Sequence, residues 1–255
     1  MSATAIAPPP RRVRAALLVI GDEILSGRTQ ETNLRTLAQF LGPLGVSLAE
    51  ARVVADDPVA IKSAVRALAS AYDYVFTTGG IGPTHDDITA DAIAAAFDAA
   101  LDEHPEALAL LGAHYAEQDF TPARRRMARL PHGARLIRNK VSTAPGFMVR
   151  NVFVLAGVPM VMRAMLEEIA PWIEGGAVTH AIEIRGPRAR EGLIAAPLEA
   201  IAKARPNLSF GSYPYYADGD FGACVVARGT DLAELTEARA AVEAMFRDLG
   251  VTIVV

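Results

Sequence analysis

Apolar positions along the chain fall into two rhythms. Ala15-Ala16-Leu17-Leu18-Val19-Ile20, Tyr74-Val75-Phe76-Thr77-Thr78 and Val152-Phe153-Val154-Leu155-Ala156 are short runs with hardly a polar break. Such runs predict strands covered on both faces, as in a parallel sheet. Between them the period lengthens. Leu34, Leu37, Leu41 and Leu44 recur at helical spacing up to Gly45, and residues 46–54 then read as extended. Asp57-Pro58 supplies an N-cap and a proline at the first helical position, and Ile61, Val65 and Leu68 continue along one face to about Ala71. An Ala-rich helix is expected over residues 88–100, and a helical stretch over 103–130 broken near Thr121-Pro122. A further helix follows residue 159, with Met162, Met165, Leu166 and Ile169 as its buried stripe. The alternation predicts a doubly wound α/β layer with helices on both faces of a mostly parallel sheet.

Beyond Gly175-Gly176 the order changes to strand (181–185), helix, strand (208–213), strand (221–227), helix and strand (251–255). This predicts a small C-terminal α+β domain of the ferredoxin-like split type, with Leu235, Val242, Met245 and Leu249 on one face of its second helix. Pro197 argues against a helix running unbroken from Ala189. The expected organisation is a disordered tail over 1–13, a main domain over 14–175 and the small domain over 180–255.

Composition narrows the setting. With 255 residues, 51% of them hydrophobic, the chain can bury its own core. Its single cysteine, Cys224, cannot form an internal bridge, which fits a reducing, cytoplasmic compartment and a packed small residue. A net charge of −4 gives no broad basic surface for nucleic acid. The apolar stretch after Pro8-Pro9-Pro10 and Arg11 to Arg14 is too short for a membrane span and turns at Gly21-Asp22.

The chemistry concentrates in Thr78-Gly79-Gly80-Ile81-Gly82-Pro83-Thr84-His85-Asp86-Asp87, which follows a predicted strand and precedes a helix. Small residues there let backbone N–H groups approach an anion while the helix N-terminus faces it, and Thr78 and Thr84 add hydroxyls. The plain alternative is a tight Gly/Pro connection, with Asp87 or Thr89 capping the following helix. Two adjacent carboxylates beside a phosphate cradle would repel the ligand unless a hard divalent cation stands between them. Asp86 and Asp87 are therefore candidates both for catalysis and for holding metal, Mg or Co, while His85 either protonates a leaving group or faces solvent. A second acidic loop, Gly21-Asp22-Glu23, leaves the carboxyl end of the first strand, the edge where open α/β sheets bind ligands. Ser142 to Phe147 and Gly157-Val158-Pro159 add rigid turns. The run Arg124-Arg125-Arg126 with Arg129 is a solvated helix face or a source of one phosphate contact.

Together, Ile20 to Gly27, Asn33, Thr77 to Thr89, Ala144-Pro145-Gly146-Phe147 and Gly157-Val158-Pro159 resemble the molybdopterin-binding domain superfamily. The branch is that of the CinA N-terminal type, which is also similar to the N-terminal domain of eukaryotic FAD synthetase. The resemblance implies a three-layer α/β/α fold, homo-oligomers and a phosphorylated small-molecule partner, an adenine dinucleotide or molybdopterin. It implies ligand or phosphate contacts from Gly21, Asp22, Glu23, Asn33, Thr78, Gly79, Gly80, Gly82, Thr84, Pro145, Gly146 and Gly157. It further implies catalysis or metal binding at Asp87 with Asp86, and metal-dependent hydrolysis of the pyrophosphate bond in ADP-ribose or FAD. Molybdopterin binding or adenylation in molybdenum cofactor biosynthesis is the second expectation, and a non-catalytic binding module the third. The Arg124 to Arg129 segment departs from the Asn and Lys-Gln-Ala of CinA-type members, Ala156 stands where proline is typical, and Ser142 where glycine is usual. Nothing in the 255 residues matches the deamidase domain of CinA proteins, so deamidation is not among the expectations.

Overall fold

The computed structural model describes residues 11–217 and 219–253, and the chain divides into two compact units between Ala177 and Val178. Ten residues of the expected tail, 1–10, lie outside the described residues, and Val13 already belongs to the first strand.

The larger unit runs β1 (Val13–Ile20), α1 (Asp22–Leu25), α2 (Asn33–Leu41), β2 (Val46–Val54), α3 (Pro58–Ala71), β3 (Tyr74–Thr78), α4 (Thr89–Ala96) and β4 (Leu101–Glu103). It continues with α5 (Pro105–His114), α6 (Pro122–Arg126), β5 (Arg129–Pro131), β6 (Arg135–Ile137), β7 (Gly146–Val149), β8 (Val152–Leu155) and α7 (Pro159–Ile169). The six-stranded sheet has the order β2-β1-β3-β8-β7-β6, parallel through β8 and antiparallel at β7 and β6. The apolar runs fill its centre because those strands are covered on both sides. Leu18, Val75 and Val154 face a cluster with Ile61, Val65, Leu68 and Ile93. Leu17, Phe76 and Phe153 face the other, with Leu37, Leu41, Met162 and Leu166. That is the expected three-layer arrangement. Asp57 caps α3 as anticipated, its carboxylate accepting from Ala60 N at 2.7 Å.

Three local expectations change. The Ala-rich helix stops at Ala96, and the chain turns through Asp98 at φ 52° before entering β4. The helical pattern over 103–130 resolves into α5 and a five-residue α6 started by the Thr121 cap and Pro122. Its end, Arg129 and Leu130, pairs with β4 in an antiparallel ladder instead. The apolar spacing there serves a half-buried ribbon, for which helical periodicity is a poor guide at three residues per strand.

The smaller unit runs β9 (His180–Pro187), α8 (Glu191–Lys203), β10 (Ser209–Ala217), β11 (Asp220–Gly229) and α9 (Leu232–Asp248), with an antiparallel sheet ordered β10-β11-β9. This is the split α+β order without its last strand among the described residues. Residues 251–253 form no strand, and Val254 and Val255 lie outside the described residues. Helix α8 continues through Pro197. The carbonyl that loses its partner there is that of Leu193, a residue 59% exposed, so water can satisfy it. Leu235, Val242 and Met245 are buried as expected, while Leu249 has left the helix. Burial pushes the Cys224 thiol up, away from the thiolate form that reactive cysteines need.

Phe76 and Phe153 stack across β3 and β8 with ring centroids 5.0 Å apart, and both are fully buried. Phe153→Ala should therefore cost about 3–5 kcal/mol of stability, read from the shift in a denaturant-unfolding midpoint.

Candidate functional site

Strands β1, β3 and β8 are parallel neighbours, so their carboxyl ends and the loops after them share one edge of the sheet. How closely those loops meet depends on glycine. Gly79 has φ 104°, and a Cβ on it would stand 2.1 Å from the carbonyl oxygen of Ile20. Gly80 has φ 65°, and a Cβ there would stand 2.2 Å from Thr89 Oγ1. Both conformations favour glycine, and neither site has room for a side chain. Gly157, at the end of β8, packs directly on Gly79, its own added Cβ falling 3.2 Å from the Gly79 Cα. Thr89 ties the loop to α4 through Thr89 N to Gly80 O and Thr89 Oγ1 to Gly79 O, both 3.0 Å. Asn33, at the start of α2, donates from Nδ2 to Gly157 O at 2.8 Å.

Several buried polar atoms around this junction have no hydrogen-bond partner among the described residues: Asn33 Oδ1, Thr77 Oγ1 and Thr78 Oγ1. Buried polar groups are ordinarily satisfied, so such a group asks for water or a ligand. Beneath Gly80, Gly82 and Asp87 lies a recess of ≈ 20 Å³, walled by Pro145, Phe147, Arg126 and Arg129. That volume admits a single water. An anion on this loop must therefore sit at its outer rim.

The acidic residues behave differently from one another. Neither Asp87 nor Thr89 caps α4 through its side chain; Ile88 stands at the N-cap. Asp87 instead closes the loop on itself, accepting from Thr84 N at 2.8 Å and from the Thr84 hydroxyl. Asp86 is exposed and shares the Thr84 hydroxyl with Asp87, and that contact, then its own N–H, holds its carboxyl below the usual range. His85 projects into solvent with its side chain 97% exposed. The acidic residue that sequence inspection missed is Asp56, just past the end of β2. It accepts from Asp22 N at 2.9 Å. Burial raises its carboxyl above the ordinary range, against that hydrogen bond, and the charges of Asp22, Glu23 and Asp86 push the same way. The sequence marks the end of β2 but not which strand ends lie beside it, so the carboxylates that surround Asp56 leave no local signal.

Among the described residues no three His, Cys, Asp or Glu side chains form a closed metal-binding group. A magnesium-like ion does not need one, since it binds through one or two carboxylates and completes its shell with water and phosphate oxygens. The donors Asp56 and Asp86, mutually repelling on one edge, fit that kind of open site. Asp87 has one carboxylate oxygen already engaged by Thr84. Gly146 lies inside β7, where a Cβ would meet Val154 O at 2.4 Å, so its smallness serves the sheet.

The arginine run separates just as clearly. Arg124 donates to Asp119 O at 2.6 Å and lies over the Tyr115 ring, Arg125 forms a two-pronged pair with Glu103, and Arg129 pairs with Asp91 at 2.9 Å. Among the described residues no helix is long and apolar enough to cross a membrane.

Comparison with known proteins agrees with this geometry. Residues 16–175 match the family described as "Probable molybdopterin binding domain", and residues 181–254 match "FAD synthase, middle domain". A CinA-like protein of Thermosynechococcus vestitus is 32% identical over 92% of this chain and 58% of its own length. Another, of Citrifermentans bemidjiense, is 43% identical over 64% of this chain and 41% of its own. The chain thus spans about half the length of these curated relatives. A crystal structure of the protein CinA, of unknown function, from Thermoplasma acidophilum is 37% identical with a TM-score of 0.59, covering 62% of this chain and 96% of that one.

The raised Asp56 carboxyl carries a signed prediction. A carboxyl whose folded value is raised gives stability that is complete below its unfolded value and lost as pH rises through the folded one. At pH 7 the ionised Asp56 is a cost. Asp56→Asn, which keeps an oxygen for Asp22 N, should raise the melting temperature of the EDTA-treated protein at pH 7, and the gain should vanish as pH falls through the carboxylate range. A lower melting temperature at pH 7 would contradict the repulsion.

Proposed function

The chain belongs to the molybdopterin-binding domain family, and from that premise we propose that its larger unit binds a phosphorylated small molecule at the glycine loop and hydrolyses the pyrophosphate bond of an adenine dinucleotide. ADP-ribose and FAD are the substrates in view, with Mg or Co as the divalent cation. The observation that carries this reading is the meeting of Gly79, Gly80, Gly157 and Asn33 on the edge that also holds Asp22, Glu23, Asp56 and Asp86. Phosphate-seeking backbone and cation-seeking carboxylates are adjacent, as a phosphoryl site requires. Similarity of the smaller unit to the middle domain of FAD synthase supports a nucleotide as the ligand class.

Each residue then has a job that its chemistry suits. The N–H groups of Gly80 and Gly82 donate to phosphate oxygens at the loop's outer face, while both donors of Thr84, expected from the sequence to join them, are taken by Asp87. Asp86, whose carboxyl is held below the ordinary range, and Asp56 would hold the cation, which when bound would draw charge from the phosphate oxygens and acidify water. Asp87 keeps the loop closed and has a second oxygen left to orient a water. Water oxygen bonds to one phosphorus, the bridging P–O bond breaks with its electron pair going to the departing phosphate oxygen, and the water's proton passes to the free carboxylate oxygen of Asp87. The products are AMP with ribose 5-phosphate from ADP-ribose, or with FMN from FAD.

A second reading, molybdopterin binding or adenylation, is favoured by the family's own description. Product analysis separates the two. Purified protein incubated with ADP-ribose, FAD or NAD should release AMP with Mg²⁺ or Co²⁺ and not with EDTA. Asp87→Ala should lower that release by about 10²-fold or more, while losing only about 1–2 kcal/mol of stability with its loop hydrogen bonds. Folded protein that releases no AMP from any of the three would sink the hydrolase reading.

A further inference from the structure

We propose that the groove between α3 and α4 is a second subsite for the same ligand, taking the flat heterocyclic half of a nucleotide whose phosphate rests on the glycine loop; this rests on the phosphate-loop reading above. The groove is a cavity of ≈ 870 Å³. That is within the range of small-molecule sites, whereas the recess under the glycine loop holds one water. A ligand anchored at the loop must place its remaining atoms elsewhere, and the groove is the neighbouring space. Asp91 and Arg126 line both hollows, so the two are contiguous around the first turn of α4.

The walls match such an occupant. Val59, Ile88, Ala92 and Ala95 give an apolar lining, and Val59 is 74% exposed. Lys62 on α3 and Arg126 on α6 stand half-buried at the groove, and neither makes a hydrogen bond or ion pair among the described residues. Arg124, Arg125 and Arg129 are all engaged, so Arg126 is the member of the run left for an external anion. Asp91 lines the groove as well but is taken by Arg129, and among the described residues no carboxylate lies within ion-pair distance of Lys62 or Arg126, so their donors are free for an anionic ligand. Apolar walls joined to the loop through an unpaired guanidinium fit an aromatic ring system on a diphosphate, with Arg126 on the second phosphate.

Calorimetric titration of the full chain with ADP-ribose, and with ribose 5-phosphate as a probe lacking base and second phosphate, tests this. Ala95→Trp, which fills the groove from an exposed position, and Lys62→Glu should each weaken ADP-ribose binding by about tenfold or more, equal to about 1.4 kcal/mol. Ribose 5-phosphate binding should be unchanged in both, and melting temperatures confirm that both variants are folded. Unchanged ADP-ribose affinity in both variants, with Gly80→Val abolishing it, would overturn the groove and leave the phosphate loop standing. Wild-type protein that binds neither probe would overturn both. An oligomer dispersed by Ala95→Trp with no change in ligand affinity would assign the groove to a second copy of the chain and overturn the proposal.

Discussion

The structure depends on one close approach of backbone to backbone. Three parallel strands deliver Ile20, Gly79 and Gly157 to one point, and only the missing side chain on Gly79 permits the approach, since a Cβ there would stand 2.1 Å from the Ile20 carbonyl oxygen. Gly157 then seats on Gly79, and Asn33 fastens that contact from α2. Without the approach the loop after β3 would be pushed outward, away from the ends of β1 and β8. The same junction sets the distance between the glycine loop and the acids after β1 and β2, so packing and electrostatics at this edge have a single origin.

What the sequence made legible follows from how each signal is generated. Strands β1, β3 and β8 are read from unbroken apolar runs because both their faces are covered, and α2, α3 and α7 from their stripes because only one face is. The ladders β4–β5 and β6–β7 leave no such trace, since three or four residues per strand are too few for a period to appear. Pro197 misled for a different reason: its cost falls on the carbonyl of Leu193, and that residue is exposed to water. The glycine loop was recognisable residue by residue. Asp56 was not, because its place among other carboxylates depends on which strand ends lie side by side.

The site divides charge between two kinds of residue. On one side burial, and after it the charges of Asp22, Glu23 and Asp86, hold the Asp56 proton more tightly. On the other, a run of arginines is mostly spent on fixing α6, through Glu103, Asp91 and the Asp119 carbonyl, and leaves Arg126 beside the glycine loop. An anion between these two groups would be drawn to Arg126 directly and to the acids only through a cation. This arrangement explains how the arginine-rich segment, although mostly occupied, still presents one cation to the loop.

The most direct test of the account is a crystal structure of the unaltered protein in the presence of a divalent cation and an ADP-ribose analogue whose bridging oxygen is replaced by a methylene group. A phosphate seated on the N–H groups of Gly80 and Gly82 is the result expected. A phosphate bound away from the ends of β1, β3 and β8 would contradict the claim that these glycines converge to form an anion site.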